Sequence, residues 1–519
     1  MRVVWLAALL ALAAGFLRGG NEDVARAIDS IQAAIESGDQ QSAARMIADA
    51  LARYPHEAGL LNLRGVIHAQ RSELAEARAD FQQAVHFEPG LTPAWQNLAR
   101  ACQMMTDRDP AAMACAAGAW ERVLHALPEN TEARMALATV LEWQGEFGNS
   151  LGQMEKLPAE DAARAPSLAL RCADLAGLHR AAEAAAAAER LAKSAEFSEA
   201  DVLSILPVLE STHSDGLVVL LAGALDSSGK ASVASLQRLA VAYEHLNRLA
   251  DARQTLERVA VAEPNNTAHL MELARIAYLA HDLEGAIGYL GHARALTPKD
   301  GRIHFLFGLI ALEMNLPVEA RRSLDQALAI APANPEYNYA MGALLLTGAQ
   351  AAEALPYLKK YVAARPADPR GHFALGAAEF ESMNYEQCRA EMQGISKAPQ
   401  TEAGAAYFLG RVERVEENFE AALADLNRAI KLAPSFGEAH TEIARVYQEQ
   451  GKLAEARAAI DHAIALDPDN YQANLVLLAI MRLTGDPGAE QQKARLATLD
   501  EARSRRRELL RRTIEVRPY

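Results

Sequence analysis

The sequence predicts an all-α fold made of stacked helix pairs, and three observations lead to that prediction. Half of the 519 residues are hydrophobic while only 6% are aromatic, so the apolar mass is mainly aliphatic and suits closely packed helices. Prolines recur with a spacing of 34 residues, and small and large apolar residues keep the same phase. A chain of this length exceeds one compact core, so we expect a repetitive array.

Composition also excludes several classes of protein. A net charge of −15 argues against a nucleic-acid binder, which usually carries a broad basic face. Four cysteines in the whole chain are too few for a disulfide scaffold or a zinc-finger array. The high hydrophobic content excludes disorder for most of the chain.

The first element is a predicted signal peptide over residues 1–20. Arg2 precedes an apolar run over residues 3–17, and Ala11-Leu12-Ala13 offers a small-residue cleavage site. The run is shorter than the roughly 20 residues that span a bilayer, and no later segment reads as a span. We therefore expect export to the periplasm or beyond, with no membrane span after cleavage. The alternatives are an uncleaved N-terminal membrane anchor and a buried helix.

The repeating element shows itself in residues that keep one phase. The prolines are Pro55, Pro89, Pro264, Pro298, Pro332, Pro366, Pro434 and Pro468. Alanine stands twelve residues before each of them, as at Ala77, Ala252, Ala286, Ala320, Ala354, Ala422 and Ala456. A large apolar residue stands eight before, as at Phe81 and Leu324, and a small one twenty-four before, as at Gly65 and Gly308. Small residues let helices approach and large ones fill the gaps between them.

Each period is predicted to contain two helices. Residues 439–450 carry apolar side chains at helical spacing, and Gly451 ends that helix. Residues 453–466 form the second helix, and the Pro468 that follows cannot continue it.

These residues resemble the tetratricopeptide repeat (TPR) family, whose unit is a 34-residue helix–turn–helix. The resemblance implies a solenoid with a right-handed superhelix, about 13 repeats and a C-terminal capping helix. Seven regular units fill residues 233–470, and an N-terminal array with degenerate units fills residues 21–232. Residues 471–519 are predicted to form capping helices with a basic tail. The arginine-rich residues 503–512 are interpreted as a solvated capping face, or alternatively as a contact for an acidic partner.

The search for chemistry predicts no enzyme, no cofactor and no metal. The sequence has no HExxH pair and no GxSxG elbow. Residues 223–230 resemble a phosphate loop, but the glycine spacing and Ala231 depart from it, so we interpret them as a helix end and turn. Cys102 and Cys115 flank an insertion in one unit. They could form a disulfide if their Cα atoms lie within about 7 Å, although two separate buried thiols is the interpretation we prefer from the sequence.

The candidate site is the concave groove that the resemblance implies, lined by the first helix of each unit. Position 5 of successive units holds Phe305, Tyr339, Phe373 and Tyr407, and position 9 holds Arg275, Arg411 and Arg445. Aromatic rings supply apolar contact area and arginine pairs with carboxylates, so these residues are predicted to bind a protein or peptide. The alternative is that the rings only pack neighbouring helices. Tyr278 and Phe380 are possible additions to this set.

The sequence thus predicts a non-catalytic, exported TPR scaffold for protein–protein interaction that holds peptide segments in its groove. The alternative is a structural or assembly component of a cell-envelope system for secretion, pili or polysaccharide export, acting through its ends or convex face. The partner is expected to be a protein or peptide rather than nucleic acid, and a homo-oligomer is possible.

Overall fold

The computed structural model describes residues 22–105 and 110–500. The predicted signal peptide and the arginine-rich residues 503–512 lie outside these ranges. Every regular element in the described ranges is helical, which confirms the predicted fold class. No helix in this part of the chain is both long and apolar enough to cross a bilayer. The chain divides into two compact units between Ala262 and Glu263, and each is described by itself.

The N-terminal unit contains helices α1 to α15. In chain order they are Glu22–Glu36, Gln40–Arg53, Ala58–Gln70, Leu74–Phe87, Thr92–Met104, Pro110–Ala126, Thr131–Trp143, Phe147–Met154, Ala159–Ala162, Ala165–Gly177, Ala181–Ala192, Glu199–Ser211, Asp215–Ser227, Val233–His245 and Leu249–Ala262.

The C-terminal unit contains helices α16 to α28, followed by a helical segment at residues 489–500. In chain order they are Thr267–Leu279, Leu283–Leu296, Gly301–Glu313, Pro317–Ile330, Pro335–Thr347, Ala351–Ala364, Pro369–Glu381, Tyr385–Gly394, Glu402–Val415, Phe419–Leu432, Gly437–Glu449, Leu453–Leu466 and Tyr471–Thr484. Each second helix of this unit packs on the first helix of its own pair and on the first helix of the next pair.

The two helices of a pair are held together by the small and large residues of the repeat. A Cβ atom built on Gly342 would lie 2.6 Å from Cγ of Leu358, and one on Gly410 would lie 2.7 Å from Cγ of Leu426. The alanines that precede the prolines by twelve residues are fully buried. The periodic residues are therefore the helix-to-helix contacts, because only small side chains permit this approach.

Five first helices of the C-terminal unit begin at side-chain caps that the proline register did not reveal. The carboxylate or amide oxygen of the residue before the helix accepts a hydrogen bond from a backbone N–H in the first turn. Such caps are Asn266, Asp300, Asn334, Asp368 and Asn470. They satisfy donors that a helix start leaves unpaired.

The turn inside each pair has a fixed backbone conformation that repeats every 34 residues. A left-handed residue occurs at His179, His213, Asn247, His281, Asn315, Ala349, Met383, Glu417, Gly451 and Gly485. The first two lie in the stretch whose sequence signature is degenerate, so the repeat register persists there without the signature residues. Most of these residues are not glycine, although a left-handed conformation costs them roughly 1–2 kcal/mol.

Replacing Met383 by Gly should therefore raise the free energy of unfolding of the C-terminal unit by about 0.5–1 kcal/mol. Met383 has φ 61° and a side chain that is 76% exposed, so the substitution loses little packing. The matched change Gly451→Ala should lower it by a similar amount, since Gly451 has φ 75°. Thermal unfolding measures both, and equal midpoints for the two variants would contradict the argument.

Five junctions between successive pairs are closed by a polar side chain at the fourth position of the unit. That side chain donates to the carbonyl oxygen of the proline that ends the preceding pair, at 2.9–3.0 Å. The donors are Trp95, His304, Asn338, His372 and Asn474. His440 instead stacks on His462, with ring centroids 5.6 Å apart. Two of the three histidines at this position thus serve the junctions.

Cys102 on α5 and Cys115 on α6 form a disulfide, with Cα atoms 6.0 Å apart. This is the arrangement that the sequence analysis placed second to separate thiols. The short distance arises because the two helices of one pair pack against each other, which spacing along the chain does not reveal. Cys172 and Cys388 are free and buried, and burial raises the pKa of each thiol to about 12, which keeps them unreactive at neutral pH.

Reduction of this disulfide should lower the free energy of unfolding of the N-terminal unit by about 3 kcal/mol, because a closed loop of this size removes that much entropy from the unfolded chain. The cysteines are 13 residues apart. Unfolding should be compared with and without a reductant. The double variant Cys102→Ala/Cys115→Ala is the control and should not respond to the reductant, whereas an unchanged midpoint for the parent protein would refute the expectation.

Candidate binding face

The four predicted aromatic residues lie on consecutive first helices of the C-terminal unit, and all four are half-buried. Phe305 on α18 contacts Tyr337 on α20, with ring centroids 4.9 Å apart. Tyr339 on α20 lies 4.8 Å from Tyr361 on α21, measured in the same way. These rings therefore join neighbouring helices, as the packing interpretation expects, while ligand contact by them stays a prediction.

The rings of Phe373 and Tyr407 are held in the same manner. A Cβ atom on Gly404 would lie 2.5 Å from the Phe373 ring, so that ring seats directly on the start of α24. Tyr407 lies 4.9 Å from Phe436, centroid to centroid, and burial raises the pKa of its hydroxyl to about 12. The Tyr407 phenol is therefore neutral at physiological pH.

The three predicted arginines are all engaged by acidic or amide groups of the chain. Arg275 pairs with Glu272 on its own helix at 2.7 Å. Arg445 donates to Glu442 at 2.5 Å and to Gln472 at 3.3 Å. Since these donors already have acceptors, a ligand would have to compete with intrachain pairs.

Arg411 has the most enclosed position of the three. Its guanidinium lies 4.0 Å from the centre of the Phe380 ring and 5.3 Å from that of Phe408, a separation at which cation–π attraction is favourable. Nη1 donates to Glu381 at 3.2 Å. Arg411 thus fastens α24 to the end of α22, and Phe380 is the surface on which it rests.

A ladder of ion pairs follows along the first helices toward the C-terminal end. Glu442 is almost fully buried and accepts from Arg414 at 3.0 Å as well as from Arg445. Arg414 also donates to Glu449 at 2.5 Å. Arg389 on α23 pairs with Glu413 on α24 and with Glu416, the residue that follows that helix. Charge in this section is therefore neutralised within the chain.

Exposed apolar side chains lie on first helices at both ends of this unit: Val415, Leu475 and Leu483 toward the C-terminal end, and Tyr278, Leu279 and Leu309 toward the N-terminal end. Tyr278 is 42% exposed, Leu279 44% and Leu309 37%. The Tyr278 hydroxyl donates a hydrogen bond to Glu313 on the next first helix, which raises the pKa of the phenol. Sequence reasoning named Tyr278 only as an addition and missed both leucines, because an exposed leucine does not differ from a core leucine in type or spacing.

No group of three potential metal ligands occurs in the part of the chain that the structure describes.

Comparison with known proteins identifies the repeats. One tetratricopeptide repeat profile matches residues 277–344 and 416–478, and a second matches residues 28–92 and 238–300. The cellulose synthase 2 operon protein C of Komagataeibacter xylinus is 28% identical over 258 residues. That match spans 47% of this chain but only 19% of the relative's length.

The solved structures to which the chain is similar share little of its sequence. A tetratricopeptide repeat protein from Parabacteroides merdae gives a TM-score of 0.40 at 15% identity, covering 48% of this chain and 98% of that one. Yeast Tom70 gives a TM-score of 0.33 at 15% identity, and the match covers 90% of this chain and 100% of the Tom70 chain. Pseudomonas aeruginosa pilF gives a TM-score of 0.31 at 17% identity, and the match covers 40% of this chain and 93% of the pilF chain.

The profiles match segments in both compact units, and the helix pairs keep the 34-residue register of their turns. The chain is therefore a tetratricopeptide repeat protein.

Proposed function

We propose that this protein is a non-catalytic scaffold that binds peptide segments of protein partners on the first helices of its C-terminal unit. Tetratricopeptide repeat proteins typically bind protein partners, and that general role is the starting point. The location of the peptide-binding surface is our inference.

The observation that supports this location is the exposed strip formed by Tyr278, Leu279 and Leu309. Exposed apolar groups on neighbouring helices offer a partner contact area that the chain itself does not cover. Phe305 borders the strip on α18 and its half-exposed ring is available at the edge. Exposed apolar residues also lie after Tyr407, at Val415, Leu475 and Leu483, in the section that contains the paired charges of Arg414, Glu442 and Arg445.

Substitutions of exposed residues test the proposal without disturbing the core. Tyr278→Ala and Leu309→Ala should each weaken binding of a co-purified partner by about tenfold, which corresponds to about 1.4 kcal/mol. Thermal unfolding should change less than for a core substitution, because Tyr278 is 42% and Leu309 37% exposed. Binding is measured by titrating the partner recovered from the native cell envelope.

The matched control is Leu432→Ala on α25, which removes an equally exposed leucine (44%) from a second helix. It should leave binding unchanged. If all three variants bind the partner as the parent protein does, peptide binding on this strip is wrong. If Leu432→Ala alone weakens binding, the second helices carry the contact.

The second candidate function is that of a structural or assembly component of a cell-envelope system. It is favoured by the similarity to a cellulose synthase operon protein and by the expected signal peptide. The Cys102–Cys115 disulfide fits an oxidising compartment. We therefore infer export, with a processed N-terminus near residue 14 as the expected result of fractionation and N-terminal sequencing. Recovery of unprocessed protein in the membrane fraction would favour the anchored alternative.

A further inference from the structure

A cavity of about 540 Å³ lies between α19 and the end of α20, together with the turn that follows α20. It shares no lining residue with the exposed strip on the first helices. Val318, Arg321 and Arg322 line it from α19. Leu344 and Gly348 line it from the other side, and Gln350 lies in the turn.

Two other junctions of this unit show what normally occupies this location. Arg321, Arg389 and Arg457 are successively 68 residues apart, two repeats each time, so they hold equivalent positions on their second helices. Arg389 pairs with Glu413 and Glu416 of the following pair. Arg457 pairs with Asp486 at 3.1 Å. At both junctions an arginine from the second helix meets an acidic residue of the next pair.

The junction at Arg321 lacks those acidic residues. By the same register, the positions of Glu413, Glu416 and Asp486 are occupied here by Leu345, Gly348 and Gln350. Arg321 reaches outward to Glu353 at 3.0 Å and makes a long contact of 3.4 Å with the Gln350 amide oxygen. The neighbouring Arg322 is exposed, with no acidic partner in the described part of the chain. Because Gly348 has no side chain, the space that Glu416 fills two repeats later stays open here.

We propose that this cavity binds an acidic side chain, glutamate or aspartate, presented by a protein partner. The carboxylate would take the location that Glu413 and Glu416 fill at the Arg389 junction, within reach of Arg321 and Arg322. The aliphatic stem and neighbouring residues of the partner would cover Val318, which is 68% exposed, and rest on Leu344. Asp325 is the acidic member of the lining, and Arg321 is already paired with Glu353, so the exposed Arg322 is the main cation for the partner's carboxylate and Arg321 would be shared with Glu353. Charge-assisted pairing with arginine supplies the recognition.

A substitution at Gly348 can place an acidic side chain of the protein itself in the cavity. Gly348 has φ −80° and ψ 8°, a conformation open to any residue, and a Cβ atom there would contact nothing closer than 3.4 Å. Gly348→Glu therefore restores the acidic residue that Glu416 supplies two repeats later. Gly348→Gln is the matched control, equal in size but uncharged.

We expect the full chain with Gly348→Glu to unfold about 1–3 °C above Gly348→Gln at low salt. The difference should vanish in 1 M NaCl, where charges are screened within about 3 Å, and in an Arg321→Ala/Arg322→Ala background. Equal midpoints at low salt, or a difference that survives the loss of both arginines, would overturn the proposed pairing.

Binding is tested with the fluorescein-labelled peptide Gly-Leu-Glu-Leu-Gly and its glutamine counterpart, by fluorescence polarisation on the full chain. The glutamate peptide should bind the parent protein and bind at least fivefold more weakly to Gly348→Glu and to Arg322→Ala. Arg322 is exposed, so circular dichroism should show both variants folded. The proposal is overturned if the glutamate peptide does not bind at millimolar concentration, if the two peptides bind equally, or if Gly348→Glu binds like the parent.

Discussion

Replacing the four position-5 aromatic residues by alanine should lower the free energy of unfolding of the C-terminal unit by roughly 6–8 kcal/mol. Each ring is half-buried, so each substitution is expected to cost about 2 kcal/mol, roughly half the cost of a buried ring. The substitutions are Phe305→Ala, Tyr339→Ala, Phe373→Ala and Tyr407→Ala. Each residue lies one repeat from the next, but Phe373 and Tyr407 both contact the Phe408 ring, so the total should fall somewhat short of the sum of the single losses.

The physical reason is that these rings are contacts between helix pairs. Phe373 seats on Gly404 and meets Phe408 with ring centroids 5.6 Å apart. Phe305, Tyr339 and Tyr407 each lie within 5 Å of another ring, centroid to centroid. Because each pair in a solenoid is stabilised mainly by its neighbours, loss of four successive contacts should uncouple the array.

Urea unfolding of the quadruple variant and of Tyr339→Phe/Tyr407→Phe measures this effect. The double variant keeps both rings and loses only two hydroxyls, so its stability should stay within about 1 kcal/mol of the parent protein. If the quadruple variant instead keeps the parent's stability and loses partner binding, the rings are ligand contacts and the packing interpretation is wrong.

Replacing Asp174 by Asn should make the N-terminal unit more stable at pH 8 and remove much of its pH dependence between about pH 4 and 8. Asp174 on α10 is fully buried, and burial raises the pKa of its carboxyl group to about 8, with a further contribution from the charge of Glu142. Ser150 donates a hydrogen bond to Oδ2 at 2.6 Å, which partly offsets the increase. The other oxygen, Oδ1, is buried without a hydrogen-bond partner.

The direction follows from proton linkage. The folded state holds the Asp174 proton up to about pH 8, while an unfolded aspartate releases it near pH 3.9. The contribution of this group to stability is therefore fully present below pH 4 and is lost as the pH rises through 8. The loss is on the order of 4 kcal/mol between pH 4 and pH 7, since each pKa unit corresponds to about 1.36 kcal/mol. Asn cannot ionise, so the Asp174→Asn protein does not lose this stability as the pH rises.

The measurement is the difference in unfolding midpoint between Asp174→Asn and the parent protein, at pH 5 and at pH 8. The difference should grow toward pH 8. Asp29→Asn is the control, because Asp29 is exposed on α1 and its replacement should shift both midpoints alike. A difference that stays constant with pH would show that Asp174 does not titrate in this range.

The fold could be predicted in detail because its determinants repeat along the sequence. Gly342 and Leu358 meet as their phase requires, and Gly451 ends α26 in the left-handed conformation. Where the signature fades, as at His179 and His213, the sequence no longer showed that the same turn persists. The backbone there keeps its geometry with residues that carry no recognisable signal for it.

The candidate site was predicted less well, because side-chain surroundings decide what a residue can bind. The position-5 aromatics were found by spacing, yet the same spacing places them against neighbouring helices. Arg411 was named as a ligand contact, and its setting among Phe380, Phe408 and Glu381 comes from residues distant in sequence. Leu279 and Leu309, the exposed residues, carry no feature by which the sequence distinguishes them from core leucines.

The sequence by itself determined the all-α repeat architecture, the 34-residue register and the close contacts of small and large residues. These properties depend on local periodicity, and the periodic residues recur in each repeat. The tertiary structure decided which rings pack and which surfaces stay open, that Cys102 meets Cys115, and that Arg321 lacks the acidic neighbours of Arg389. Such properties arise between helices that are adjacent in space, and no single repeat contains them.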